Sequence, residues 1–234
     1  MGPLMISDIQ EKENNQELLN VISKTKISIL HETLFLFDWD DTLLCSSFIS
    51  FKKFNLSQEE LKLIGELGKL VFEFITECIK KGTVIIMTNS NESWVKLTAT
   101  ELMKMDPIIF KDINIISTRD IYEKQKISKN QWKKIAFKEI IKNYDNKIKN
   151  LVCASDMPED IEIFKNITEK YSEINVSTVK FKINPSPNIM IKEIKIMKES
   201  LDKLIGSNQK YFLCKEKDEE GFFSFKNLLD ILRL

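Results

Sequence analysis

The amino-acid sequence predicts an α/β protein: a three-layer, Rossmann-like parallel sheet of about five strands with helices on both faces. Three observations lead there. Short apolar runs recur at residues 33–37, 83–87, 113–116, 151–154 and 176–181, as buried strands do. Amphipathic helical stretches separate most of them, and strand–helix alternation belongs to parallel sheets with right-handed crossovers. The first four runs lead into polar residues: Asp38, Thr88, Ser117 and the pair Ser155-Asp156. In such sheets ligands bind beyond the carboxyl ends of the strands.

Each element has its own local reason. Residues 1–30 begin polar and form an N-terminal extension, in which 16–29 reads as a short docking helix. Strand one follows at 33–37, then a mixed connector at 43–56 that reads as a small flap. Ser57 with Glu60 three positions on is a capping box. Behind it, Leu63, Ile64, Leu67, Leu70, Val71, Phe74, Ile75 and Cys78 repeat at helical spacing until Gly82. Strand two runs over 83–87, and Asn91 caps a helix expected to reach about residue 105. Strand three is followed by a loop and a helix over 131–144, begun near Ser128 or Asn130. Strand four precedes Pro158, which is tolerated in a first helical turn. Strand five precedes an amphipathic helix over 189–205. The core domain thus spans 31–207, and 208–234 reads as a C-terminal extension packed on it through Tyr211–Cys214 and a short apolar helix at 222–232.

Composition narrows the function classes. The chain has 234 residues, 43% hydrophobic and 30% charged, which marks a folded protein. Thirty-five Lys and Arg balance 35 Asp and Glu, so whole-molecule attraction to nucleic acid or anionic membrane is not supported. No stretch has the apolar length of a membrane helix, and the first residues lack a secretory pattern. The four cysteines, Cys45, Cys78, Cys153 and Cys214, form no C-x-x-C pair, and a reducing, cytoplasmic setting fits them. His31 is the single histidine, which removes most His-based metal and triad chemistries. The expected state is a monomer or weak oligomer.

The chemistry-bearing stretch is Phe37-Asp38-Trp39-Asp40-Asp41-Thr42. Side chains alternate along an extended strand, so Asp38 and Asp40 share one side. Like charges so close raise each other's pKa, a cost offset by a cation or a shared proton. Asp156 and Asp160 form a second acidic group after strand four, with Glu159 as a rival to Asp160. Lys133 and its neighbour Lys134 open a helix, and spacing does not choose between them. Trp39 is placed near a substrate mouth, with Trp94 as pocket or core and Trp132 packing a helix start. Arg119 either reaches an anion or makes a surface ion pair.

Taken in order, Asp38-Trp39-Asp40-Asp41-Thr42, Thr88, Lys133 and the Asp156 to Asp160 cluster resemble the four motifs of the haloacid dehalogenase superfamily. The likeness spans roughly residues 33–182, and the runs 35–43 and 132–137 also resemble a branch of phosphatase-like proteins from protists. The resemblance implies a Mg²⁺-dependent phosphatase acting on a phosphorylated small molecule or protein. It implies Asp38 as nucleophile, forming an aspartyl-phosphate, and Asp40 as general acid then base. It gives Mg²⁺ the Asp38 and Asp156 carboxylates and the backbone carbonyl of Asp40 as ligands. Thr88, with Asn89 beside it, and Lys133 would contact the phosphoryl group. Thr42 and Asp160 would support the site. The family often has Gly where this chain has Ser155. Neither the interval from Asp38 to Thr88 nor that from Thr88 to Lys133 has room for a cap domain, so the site is expected to be open, suiting a macromolecular phosphate. A non-catalytic scaffold and a phosphotransferase using the same intermediate are the competing expectations.

Overall fold

A computed structural model describes residues 32–206, apart from 145, 146, 169, 170 and 172. The two terminal extensions, with the helices expected at 16–29 and 222–232, His31 and Cys214, lie outside the described residues.

Five parallel strands form one sheet: β1 (Thr33–Phe37), β2 (Thr83–Thr88), β3 (Ile113–Ser117), β4 (Asn150–Ser155) and β5 (Asn175–Lys180). Their spatial order is β3-β2-β1-β4-β5. This is the doubly wound order, in which winding reverses between β1 and β4 and opens a crevice at their carboxyl ends. The register pairs Phe37 with Ala154, so the segments that follow leave the sheet side by side. The backbone N–H of Asp38 still donates to the Ala154 carbonyl at 2.9 Å.

Strand alternation builds two cores. Phe35, Phe37, Val84, Ile86, Val152 and Ala154 face one way. They pack with residues of α2 (Gln58–Lys81) and α7 (Pro187–Glu199), two helices that also pack on each other. Leu34, Leu36, Ile85, Met87, Leu151 and Cys153 face the other way, toward α5 (Lys129–Tyr144) and α6 (Pro158–Thr168). Both faces are covered, which is why the strands read as continuous apolar runs.

The α2 start has the capping box: the Ser57 hydroxyl accepts from the Glu60 N–H, and the Glu60 carboxylate accepts from the Ser57 N–H. The connector expected as a flap contains a short helix, α1 (Ser46–Phe51). The helix that begins after Asn91 is shorter than expected, and the Asn91 side chain makes no cap bond to it; Asp120 accepts from the Glu92 N–H instead. The helix runs as α3 (Glu92–Leu97) and widens into a π-helical turn at Thr98–Leu102. The Thr98 hydroxyl bonds the Trp94 carbonyl at 2.7 Å, the kind of side-chain competition that distorts a helix. The expected loop after β3 holds α4 (Thr118–Tyr122) and a 3₁₀ turn at Glu123–Gln125. The helix expected over 189–205 breaks at Ser200, whose hydroxyl bonds the Ile196 carbonyl, and resumes as α8 (Leu201–Leu204). Among the described residues no helix is long and apolar enough to cross a membrane.

Two glycines of α2 make opposite demands. A Cβ on Gly68 would stand 1.9 Å from the Met103 carbonyl oxygen, whereas a Cβ on Gly65 meets nothing within 4 Å. Gly68→Ala should therefore destabilise the protein by about 2–3 kcal/mol through overpacking. Gly65→Ala should stabilise it by about 0.5–1 kcal/mol through lower unfolded-state entropy and better helix propensity. Urea unfolding of the two variants checks the contrast.

Candidate active site

The turn after β1 starts the site. Alternation carries Asp38 and Asp40 into a cleft of about 640 Å³ and sends Trp39 the other way. Trp39 is 1% exposed in the core, where its indole Nε1 donates to the Thr98 hydroxyl at 3.1 Å. This corrects the placement of Trp39 at a substrate mouth: the geometry that brings the two acids together buries the residue between them. Asp41 then takes a left-handed conformation, φ 53°, and the chain folds back so that the Leu43 and Leu44 N–H groups both donate to the Trp39 carbonyl.

Asp38 is buried and its two oxygens are engaged on different sides. Oδ1 accepts from the Trp39 N–H at 2.8 Å, and Oδ2 lies 2.7 Å from the Lys133 ammonium. The same ammonium lies 2.5 Å from Asp160 Oδ2, so one buried cation joins the β1 tip to α6. Burial pushes the Asp38 carboxyl up to about 6 against the opposing pull of Lys133, with Asp160 and Asp40 adding to the rise. Burial works against the Lys133 charge, but Asp38 and Asp160 outweigh it and raise its pKa. Lys134, the rival lysine, is exposed, and so is Glu159, the rival acid, although Glu159 borders the cleft rim. Ser155 stands where glycine is common in the resembled family, and it has work to do. Its hydroxyl donates to Asp160 at 2.6 Å and accepts from the Met157 N–H at 3.2 Å.

Asp40 turns toward β2. Its carboxylate accepts from Trp94 Nε1 at 2.9 Å, from the Ser90 hydroxyl at 2.6 Å and, at the long limit of 3.5 Å, from the Thr88 hydroxyl. Thr88 itself is fully buried, its hydroxyl also accepting from the Ser90 N–H. Asn89 and Ser90 border the cleft, and the Asn89 side chain is fixed by the Thr118 hydroxyl at 2.6 Å. Ser90 and Trp94 were not singled out from sequence as partners of Asp40. Of the two tryptophans weighed there, Trp39 is core, and Trp94 is half-buried against the same core with its Nε1 on Asp40.

Asp41 is a further residue that sequence reasoning passed over, although its place in a run of three acids with Asp38 and Asp40 was a signal. Its carboxylate accepts from the Ser47 N–H at 2.9 Å and from the Ser47 hydroxyl, which latches α1 to the turn. Burial raises its pKa, and the Ser47 bonds oppose the rise. Ser46 and Ser47 thereby form part of the cleft wall. Thr42 is fully buried and its hydroxyl accepts from the Asp156 N–H at 3.0 Å, a stitch between the loops after β1 and β4.

Asp156 is 4% exposed and borders the cleft. Among the described residues no donor is hydrogen-bonded to its carboxylate. Burial pushes its carboxyl up to about 7, aided by Asp38 and Asp41 and opposed by Lys133 and Lys180. Among the described residues no three acidic, Cys or His side chains are already gathered as a cation cage. Mg²⁺ does not require one, because it takes one or two carboxylates and keeps several waters. A buried carboxylate without a hydrogen-bond donor, bordering the same cleft as the Asp38 carboxylate, has the oxygen-donor chemistry such a cation takes. The residues present fit Mg²⁺ on that ground.

Arg119 also borders the cleft. Its Nε donates to the Asn89 carbonyl at 3.1 Å, and Nη1 lies 3.8 Å from Glu123. Trp132 is buried at the start of α5, where Nε1 donates to the Ile127 carbonyl. Comparison of the chain with protein-family models, with curated proteins and with solved structures found no match.

Removing the buried cation should be costly. Lys133→Met leaves two buried carboxylates facing each other and should destabilise the protein by about 3–5 kcal/mol. Lys134→Met, on the surface, should stay within about 0.5 kcal/mol, so urea unfolding separates the two lysines. A second expectation concerns pH. The folded-state pKa of Asp156 lies above its unfolded value, so its contribution is fully present below pH ~4 and is lost as pH rises through about 7. Asp156→Asn should therefore gain stability relative to the metal-free wild type across that window. Thermal melts at steps from pH 4 to 8 in EDTA test this, and a constant difference would refute it.

Proposed function

We propose that the chain is a Mg²⁺-dependent phosphomonoester hydrolase of the haloacid dehalogenase type, acting through an aspartyl-phosphate on Asp38. One observation carries the reading. Asp38 and Asp156 come from adjacent strand tips at the winding reversal, Asp38 raises the pKa of Asp156, and both border an acid-lined cleft with the buried Lys133. A fold gains no stability from gathering carboxylates there, whereas phosphoryl transfer needs charge of this kind.

Asp38 attacks the phosphorus, and the bond to the leaving oxygen breaks as Asp40 donates its proton to that oxygen. Asp40 then takes a proton from the water that attacks the aspartyl-phosphate, releasing phosphate and restoring Asp38. The Trp94 indole, Ser90 and Thr88 hold the Asp40 carboxylate, which keeps its proton transfers aimed at one place. Lys133 holds Asp38 in position and offers positive charge to the phosphoryl oxygens, while Asp160 orients Lys133. The cation would be held by Asp38, Asp156 and the Asp40 backbone carbonyl. When bound, Mg²⁺ offsets charge on the phosphoryl oxygens so that a carboxylate can approach a dianion. Thr42 supports this arrangement by fixing the Asp156 backbone. Between Thr88 and Lys133 lie only short helices, turns and β3, so no cap domain covers the cleft from that side. Phosphopeptides therefore belong in the substrate panel beside small phosphomonoesters.

Release of phosphate from p-nitrophenyl phosphate tests the reading. Turnover should require Mg²⁺, stop with EDTA, and fall about a thousandfold or more in Asp38→Asn while the melting transition stays cooperative. Metal-independent release would overturn the Mg²⁺-dependent mechanism, and absent release would favour a scaffold. Phosphate passed to an added alcohol instead of water would favour a phosphotransferase.

A further inference from the structure

The acids of the cleft gather near the β1 and β4 tips, but another part of its lining carries cations. Arg119 comes from α4, and Lys129 and Asn130 come from the start of α5. Arg119 is one of two arginines in a chain whose Lys and Arg total 35, so lysine is the cation this sequence uses almost everywhere. An arginine does something here that lysine does not. Its Nε is tied to the Asn89 carbonyl, which fixes the plane of the guanidinium and leaves the terminal amino groups for another acceptor. Among the described residues its one ion pair within 4 Å, with Glu123, stands at 3.8 Å, well beyond the 2.7–2.9 Å of a charge-assisted hydrogen bond. Asp120, next in sequence, feels the Arg119 charge, but its carboxylate is hydrogen-bonded elsewhere, accepting from the Asn91 side chain and from the Glu92 N–H at 2.9 Å.

Lys129 adds to this. Among the described residues it has no ion-pair partner within 4 Å, and it opens a 16-residue helix whose first turn has no acid. Lys129 is exposed, and a cation at a helix start is disfavoured by the helix dipole, so the helix gains no stability from it. A phosphoryl group alone is far smaller than a cleft of about 640 Å³, a volume in the range of small-molecule sites. Met157 and Ile163 border the same cleft and offer apolar contact to whatever joins the two ends of a substrate.

We propose that Arg119, with Lys129 and Asn130, forms a second anion subsite, so that the substrate is a small phosphomonoester whose leaving group bears a second anionic group, a carboxylate or another phosphate. This rests on the phosphatase reading for the first phosphoryl position, but the subsite is testable by binding alone. Non-hydrolysable probes suit the purpose: propylphosphonate, 3-phosphonopropanoate and propane-1,3-diphosphonate, titrated calorimetrically with Mg²⁺ present. One or both probes with a second anionic end should bind about tenfold or more tightly than propylphosphonate, and which one does so separates a carboxylate from a phosphate specificity. Homologues with longer chains set the span. Arg119→Ala should bring the preference close to one, Arg119→Lys should keep part of it, and Lys129→Ala should reduce it less. Circular dichroism verifies the fold of each variant, and the Lys129 variant serves if Arg119→Ala does not fold. Equal binding of the three probes, no binding of any, or a preference that survives in Arg119→Ala would overturn the subsite. A preserved preference without metal-dependent turnover of the matching phosphate esters would overturn only the phosphatase reading.

Discussion

The buried ammonium of Lys133 is the constraint on which the site depends. It stands between Asp38 and Asp160, 2.7 and 2.5 Å from their oxygens, with little access to water. Two carboxylates on different elements would repel at this distance without it. Because Asp38 belongs to the loop after β1 and Asp160 to the first turn of α6, a single charge sets the relation between three elements: the β1 tip, α5 and α6. A buried ion group of this kind is poor evidence for stability, since its desolvation cost rivals its attraction. Its presence is better accounted for by what the arrangement does to Asp38.

Around that centre the loops are fixed by short polar stitches. Thr42 accepts from the Asp156 backbone, Ser155 bridges Asp160 and Met157, and Asp41 latches α1 through Ser47. Each is a bond between residues whose side chains have few rotamers, so little entropy is spent to hold them. The result is a rigid floor beneath a cleft whose charges differ from place to place: acids near the β1 and β4 tips, cations on α4 and at the start of α5. Such separation of charge on rigid elements is what orientation of a multiply charged ligand requires.

The strand-by-strand burial also explains which tryptophan holds Asp40. Asp38, Trp39 and Asp40 alternate, so Trp39 had to point away once both acids pointed in. Trp94 reaches Asp40 from α3 instead, and the hydroxyl of Thr98 links the Trp39 indole to the Trp94 backbone by accepting from the one and donating to the carbonyl of the other. The π-helical turn at Thr98–Leu102 lies at this junction, a distortion typical of places where side-chain demands override helix regularity.

Much of the fold was legible in the sequence because it is written in local periodicities. The five apolar runs, the capping box at Ser57 and Glu60, the helix begun by Pro158 and the pairing of Asp38 with Asp40 on one side all follow from neighbours within a few residues. Strand order, the choice of Lys133 over Lys134 for the interior, the choice of Asp160 over Glu159 as its partner, and the grip of Trp94 and Ser90 on Asp40 were not legible. Lys133 and Lys134 differ by about 100° around one helix, and only the position of that helix against the sheet decides which of them is buried. Likewise Asp38 and Asp156 are far apart in sequence, and they border one cleft because β1 and β4 are neighbours, a matter of which apolar faces cover one another. Short-range pattern determined what each segment is; long-range burial decided which segments touch, and the candidate chemistry resides in those contacts.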